Sequence, residues 1–415
     1  MRAFKVGQII DGRGGSALPQ GVLLEENGQI VAVGRQSEVT IPEQATVIDA
    51  PHSTLMPGMI DTHVHLAYSG STRKGAFRAE ASEMSYPLLA LRAARFARET
   101  LEWGFTAVRD LNAPGGIIID LARAIEAGHV AGPRVRACGL GITATGGHMD
   151  PPGWGDHVVL QDMSLPCNGP DQVRQAVRSQ VKRGAHFIKI NLCVGSVRDL
   201  NHPYRAELTD EEFIAAIDEA HRLERHVAAH TSGGPTVLRA VRAGLDTVEH
   251  GHWIDDETAE AMAEAGTYYV PTLLVNERNF EIPLEEMGVG PKSWGWLHKS
   301  REDKWASLER VRKAGVKIAV GTDAGFMIPH GSMNARELEL LVRGGLTPLE
   351  AITAATLTGA QLMGLEKVGA LLPGWQADLV LVAADPLNDI TVLQKRANLR
   401  VFAGGQEFSR TGDQS

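Results

Sequence analysis

Apolar and polar residues alternate through Met59-Ile60-Asp61-Thr62-His63-Val64-His65-Leu66, the pattern of a β-strand. Residues two apart in a strand share a face, so His63 and His65 project to the same side. Pro57-Gly58 just before them is a turn signal, which puts the pair at the C-terminal end of a short strand. Seven further strand-like apolar runs follow: Thr106 to Leu111, Arg134 to Gly139, Phe187 to Ile190, His226 to His230, Thr247 to Gly251, Tyr268 to Leu274 and Ile318 to Ala324. Helical patterns separate them, around Glu99 before Gly104, over Pro170 to Arg183, Thr209 to Arg225 and Asp255 to Ala265, several opened by Asp or Thr and closed by Gly. Strands alternating with helices make a parallel sheet, and eight such units predict a closed (β/α)8 TIM barrel; a doubly wound open sheet is the alternative.

The chain ends have a different texture. Val22 to Gly34 reads as two short strands joined through Asn27-Gly28, a dipeptide suited to a tight hairpin. Similar runs return only at Ala377 to Val382 and Leu399 to Ala403, bounded by Pro373-Gly374 and Gly404-Gly405. Residues 1–57 and 371–415 are therefore expected to meet in one small β-sandwich domain, with 58–370 forming the barrel.

Four more polar residues sit at the ends of predicted barrel strands: Lys189 on the fourth, His230 on the fifth, His250 on the sixth and Asp323 on the eighth. In a closed barrel they converge with His63 and His65 on the C-terminal mouth, where such barrels keep their chemistry. Singly, each reads equally well as a snorkelling lysine, a core histidine or a capping aspartate. Together they form a set of imidazole and oxygen donors suited to zinc or a similar divalent metal. Two such ions roughly 3.5 to 4 Å apart can activate a shared water and polarise a carbonyl. Asp323 could then take the water's proton and deliver it to a leaving nitrogen.

Composition narrows the partners. Hydrophobic residues are 43% and charged residues 22% of the 415, enough for a large core, and a formal net charge of −9 argues against a nucleic-acid partner. Cys138, Cys167 and Cys193 have no Cys-x-x-Cys spacing, so neither a disulfide framework nor a thiolate zinc site is indicated. The absence of a signal-like apolar core at the N-terminus and of any membrane-length apolar run leads to the expectation of a cytoplasmic protein with no membrane partner. Gly139-Leu140-Gly141 begins like a dinucleotide fingerprint, but Ala144 replaces its third glycine and no helix follows directly. No Gly-x-Ser-x-Gly elbow occurs, so covalent catalysis is the poorer hypothesis.

The metal set, together with Pro57 to His65, Gly104-Phe105-Thr106-Ala107-Val108-Arg109-Asp110, Gly132-Pro133-Arg134, Thr145-Gly146-Gly147-His148, Gly321-Thr322-Asp323-Ala324-Gly325 and Gly374 to Leu379, resembles the amidohydrolase superfamily over nearly the whole chain. The likeness is to its imidazolonepropionase-related branch, which includes Xaa-Pro and Xaa-Arg dipeptidases and hydrolases of ochratoxin and phenylureas. Asn191 to Ser196, after Lys189, departs from the usual run of that branch. The resemblance implies one zinc ion on His63, His65 and Asp323, a second on His230 and His250, and an N6-carboxylated Lys189 and a hydroxide bridging them. It also implies a homo-oligomer and a small-molecule substrate: a dipeptide, N-acyl amino acid or aryl amide. A cyclic amide, urea, carbamate or ester on the same site is the alternative; a non-catalytic metabolite-binding barrel would lack stoichiometric metal. Four residues are expected to meet substrate: His148 near its carbonyl, Arg205 gripping a carboxylate bidentately, and Tyr204 and His330 at the mouth.

Overall fold

The computed structural model describes residues 1–73, 76–150, 164–193, 204–287 and 291–408. Parallel strands surround the core in the order Met59–Val64, Phe105–Asp110 and Arg134–Ala137, then Ile142–Ala144, Ile188–Asn191, Val227–Gly233, Thr247–Trp253 and Tyr268–Val270. Every residue of Met59–Val64 and Phe105–Asp110 is buried, as expected for a parallel sheet covered by helices on its outer face.

Two of the eight staves depart from simple strands. The third bends at Gly139 (φ 74°): Arg134–Ala137 pairs with the second stave and Ile142–Ala144 with the fourth, while Leu165–Cys167 adds a further parallel strand beside Ile142–Ala144. The eighth, residues 318–324, is held by separate bonds instead of a continuous ladder. Tyr269 N–H donates to Lys317 O at 2.9 Å and Ala319 N–H to Tyr269 O at 3.0 Å on one side. On the other, Thr62 N–H donates to Val320 O at 2.8 Å and His65 N–H to Ala324 O at 2.7 Å, which closes the ring. Gly321 permits this approach, since a Cβ there would lie 2.8 Å from the His63 Cβ and 2.4 Å from Val270 Cγ1.

The helices follow local signals. Asp210–Arg222 starts at a capping box in which the Thr209 hydroxyl accepts from Glu212 N–H while the Glu212 carboxylate accepts from Thr209 N–H. Asp256–Ala265 is capped by the Asp255 side chain. Pro170–Arg183 runs as the sequence predicts and ends on Gly184 at φ 101°.

Both chain ends enter one seven-stranded sheet, ordered Gln406–Phe408, Leu399–Ala403, Leu379–Val382, Thr46–Pro57, Arg2–Ile9, Leu18–Glu26 and Gln29–Arg35. Asn27 and Gly28 take positive φ (51° and 79°), the requirement of the tight hairpin expected there. One face buries Phe4, Val6, Leu23, Leu55, Leu379 and Phe402 together. Asp378 ties this sheet to the barrel: its carbonyl accepts from Gly58 N–H at 2.8 Å and its carboxylate from Arg134 Nε at 3.0 Å. Among the described residues no helix is long and apolar enough to cross a membrane.

Candidate metal centre

The six residues singled out at the strand ends line one cavity of about 250 Å³ at the barrel mouth: His63, His65, Lys189, His230, His250 and Asp323. All are buried. The possible ligand atoms of His63, His250 and Asp323 lie within 4.8 Å of one another. Asp323 Oδ1 is 3.1 Å from His65 Nε2 and 3.5 Å from His63 Nε2. The His230 and His250 rings are 4.6 Å apart, and those of His63 and His250 4.8 Å.

Among the six ligand candidates three buried atoms have no hydrogen-bond partner: Lys189 Nζ, His230 Nε2 and Asp323 Oδ1. Orphaned buried polar atoms are costly, and three in one cavity are the donor set a pair of divalent ions would satisfy. Burial also favours the required neutral forms. It draws His63 down to about 4 and His230 and His250 well below the usual imidazole range, and it lowers Lys189 to about 8.

Backbone geometry concentrates the ligands. His250 (φ 65°) and Asp323 (φ 64°) both adopt the left-handed region that costs non-glycine residues about 1–3 kcal/mol. At His250 this breaks the two-residue alternation, so Glu249 reaches the ligand cluster from behind. His63 Nδ1 donates to Glu249 Oε2 at 2.7 Å, which leaves its Nε2 lone pair facing Asp323. Burial acts to raise the Glu249 carboxyl, but Arg109 and the hydrogen bond from His63 outweigh it and hold the group at about 2. Arg109 itself is anchored by Nε donating to Thr62 O at 2.6 Å. Asp61, likewise buried, accepts from Thr322 Oγ1 at 2.6 Å and Asn334 Nδ2 at 2.7 Å, pinning the first stave to the eighth.

Sequence reasoning missed Glu249, Arg109 and Asp61. The available signal was charge inside a strand with apolar neighbours. Carboxylates that orient ligating histidines commonly contribute 10–100-fold to metal affinity. Glu249→Gln is therefore expected to weaken binding of one metal equivalent by about that factor, measurable by chelator competition; an unchanged constant would remove Glu249 from the site.

The expected substrate residues divide. His148 lines the cavity, with its ring stacked 4.0 Å from that of His230 and its backbone N–H bonded to the Glu207 carboxylate. Tyr204, Arg205 and His330 are not brought to the cavity wall. Tyr204 donates to Asp303 Oδ2 at 2.6 Å and packs on Trp253 and Trp296. Arg205 is exposed, next to Ala206, which bridges to Cys193, and Glu207, whose N–H donates to Leu192 O. His330 faces away, donating from Nε2 to Tyr68 O at 2.9 Å and stacking on Phe96. Of the atypical run after Lys189, Val194 to Ser196 lie outside the described residues.

Residues 54–407 match the Amidohydrolase family. The chain belongs to that family. Ochratoxinase of Aspergillus niger is 33% identical, over 98% of this chain and 86% of its own length. The imidazolonepropionase of Salinispora tropica is 25% identical over 91% of each. Among solved structures, a Xaa-Pro dipeptidase with methionine bound in its active site superposes with a TM-score of 0.87 at 30% identity, covering 99% of this chain and 100% of that one. This amidohydrolase is thus a hydrolase of C–N bonds on a TIM-barrel scaffold, from the branch its motifs resemble.

Proposed function

We propose that this amidohydrolase cleaves an amide bond of a small substrate with two divalent ions, zinc fitting the imidazole-rich donors best. The three unpartnered buried atoms on Lys189, His230 and Asp323 carry this reading. His63, His65 and Asp323 would hold one ion, His230 and His250 the other, with Lys189, as its carbamate, between them. The ions would lower the pKa of water and polarise the carbonyl. Asp323 takes a proton from the attacking water as its oxygen bonds to the carbonyl carbon. The same carboxyl then delivers that proton to the amide nitrogen as the C–N bond breaks, releasing acid and amine. His148, beside His230 on the wall, orients the carbonyl oxygen.

Lining chemistry narrows the substrate. Besides the ligands the wall carries Phe77, Leu111, Met149, Val275, Leu297, Phe326 and Met327, with the amides of Asn112, Asn191, Asn276 and Asn279 and the imidazole of His252 among them. Among the described wall residues no arginine is present to meet a carboxylate. An aryl or apolar acyl amide fits this wall better than a small charged dipeptide, and the likeness to ochratoxinase supports the same choice. A panel of aryl amides, N-acyl amino acids and dipeptides against zinc-loaded enzyme tests it. Phe326→Ala is expected to raise KM for the best aryl substrate about tenfold, the worth of a buried aromatic contact, while Arg205→Ala leaves it unchanged. Higher kcat/KM on charged dipeptides than on every aryl amide would refute this substrate assignment.

A further inference from the structure

The two expected metal positions are backed by groups of opposite charge. Behind His63 stands the Glu249 carboxylate, 2.7 Å from Nδ1. Behind His250 stands the Thr272 hydroxyl, also 2.7 Å from Nδ1, and behind that the ammonium of Lys304. Lys304 lies on the long helix Pro291–Lys313, is 1% exposed, and donates to Thr272 O at 3.0 Å and to Thr272 Oγ1 at 3.3 Å. Thr272 sits in a left-handed turn (φ 48°) that Glu337 also clamps, its carboxylate accepting from Leu273 N–H at 2.8 Å and Leu274 N–H at 2.7 Å while attracting the Lys304 ammonium and offsetting part of its charge.

A carboxylate accepting from a ligating imidazole makes the ring a stronger donor to metal. A hydroxyl already polarised by a buried cation does the reverse, and the cation also repels the metal directly through a low-dielectric interior. Resting on the two-metal reading above, we propose that Lys304 acts through Thr272 and His250 as a positioning residue that makes the ion at His230 and His250 the weakly held one. Looser donation leaves that ion more electron-poor, so Lys304 exchanges affinity for power to polarise the carbonyl.

Zinc titration of metal-free enzyme at pH 7, read by chelator competition, decides the matter. Wild type should take up two equivalents of unequal affinity, with His250→Ala abolishing the weaker and His65→Ala the tighter. Lys304→Gln, which removes charge and keeps a donor, and Lys304→Met should each tighten the weaker equivalent about tenfold or more, leave the tighter one unchanged, and lower kcat. Simple damage to packing would loosen binding, so the sign separates the two causes. If Lys304→Met yields no soluble protein, the glutamine variant reads the same charge. Unchanged or weaker binding in Lys304→Gln, or two equivalents of equal affinity in wild type, would overturn the proposal. Uptake of fewer than two equivalents by wild type would instead refute the two-metal reading.

Discussion

Lys189→Ala is expected to lose at least one metal equivalent and to cut turnover by about 10³-fold, the scale of removing a group that stabilises developing charge, while the fold survives. Lys189 Nζ has no hydrogen-bond partner, so its removal leaves no donor or acceptor newly stranded. An ordinary ammonium beside two cations would repel both, so the site assembles only with Lys189 neutralised or converted to an anion. On the proposed two-metal reading, reaction of the neutral amine with carbon dioxide would give a carbamate, whose two oxygens on a long stem could serve both ions. Burial holds this amine at about 8, so the reactive neutral form grows as pH rises through that value, and bicarbonate should reactivate stripped enzyme faster at higher pH. Lys189→Glu supplies an anion on too short a stem; it should retain more metal than the alanine variant yet recover little activity. Intact mass under mild conditions can detect the added carboxyl group directly. A fully active two-metal enzyme with an unmodified Lys189 would overturn the assignment.

Ending the chain before Leu371 should abolish soluble, folded protein. The deletion takes the three strands Leu379–Val382, Leu399–Ala403 and Gln406–Phe408 from one side of Thr46–Pro57, and strips Leu371, Leu379, Leu381 and Phe402 from a shared core. At about 1.5–3 kcal/mol for each large apolar side chain, that loss rivals the whole stability of a typical domain, about 5–15 kcal/mol. It also removes Asp378, and with it the Gly58 and Arg134 bonds at the entrances to the first and third staves. Circular dichroism and sedimentation of the shortened chain would show the outcome. A soluble, active product would mean that the barrel stands without the terminal sheet.

Elements whose cause is local were legible in the sequence. The Asn27-Gly28 hairpin, the Thr209 and Asp255 caps and the strand bearing His63 and His65 all rest on neighbouring residues, and each was found where its signal lies. The six mouth residues were legible because a closed barrel brings strand ends together whatever separates them along the chain. Alternation failed where the backbone leaves the extended region. Tyr268 to Leu274 reads as one strand, yet Thr272 turns left-handed and Leu273–Arg278 is helical. Glu249 was hidden for the same reason, since positive φ at His250 lets two successive side chains serve one site. Arg205 and His330 were placed at the mouth from their order after strands four and eight, which sets proximity along the chain but not the direction of a side chain.

The terminal sheet also imposes a schedule on synthesis. Strands Arg2–Ile9 and Thr46–Pro57 leave the ribosome early and pair with one another, but the other edge of Thr46–Pro57 has no partner until Leu379–Val382 emerges. At about 5–20 residues per second the intervening stretch, on the order of 300 residues, takes roughly 15 to 60 s to make. Throughout that interval a nascent chain presents an open strand edge and the apolar face of Phe4, Val6 and Leu55, the kind of surface that other chains and chaperones bind. Production of this enzyme should therefore respond to translation speed and chaperone supply more than its finished stability alone would suggest.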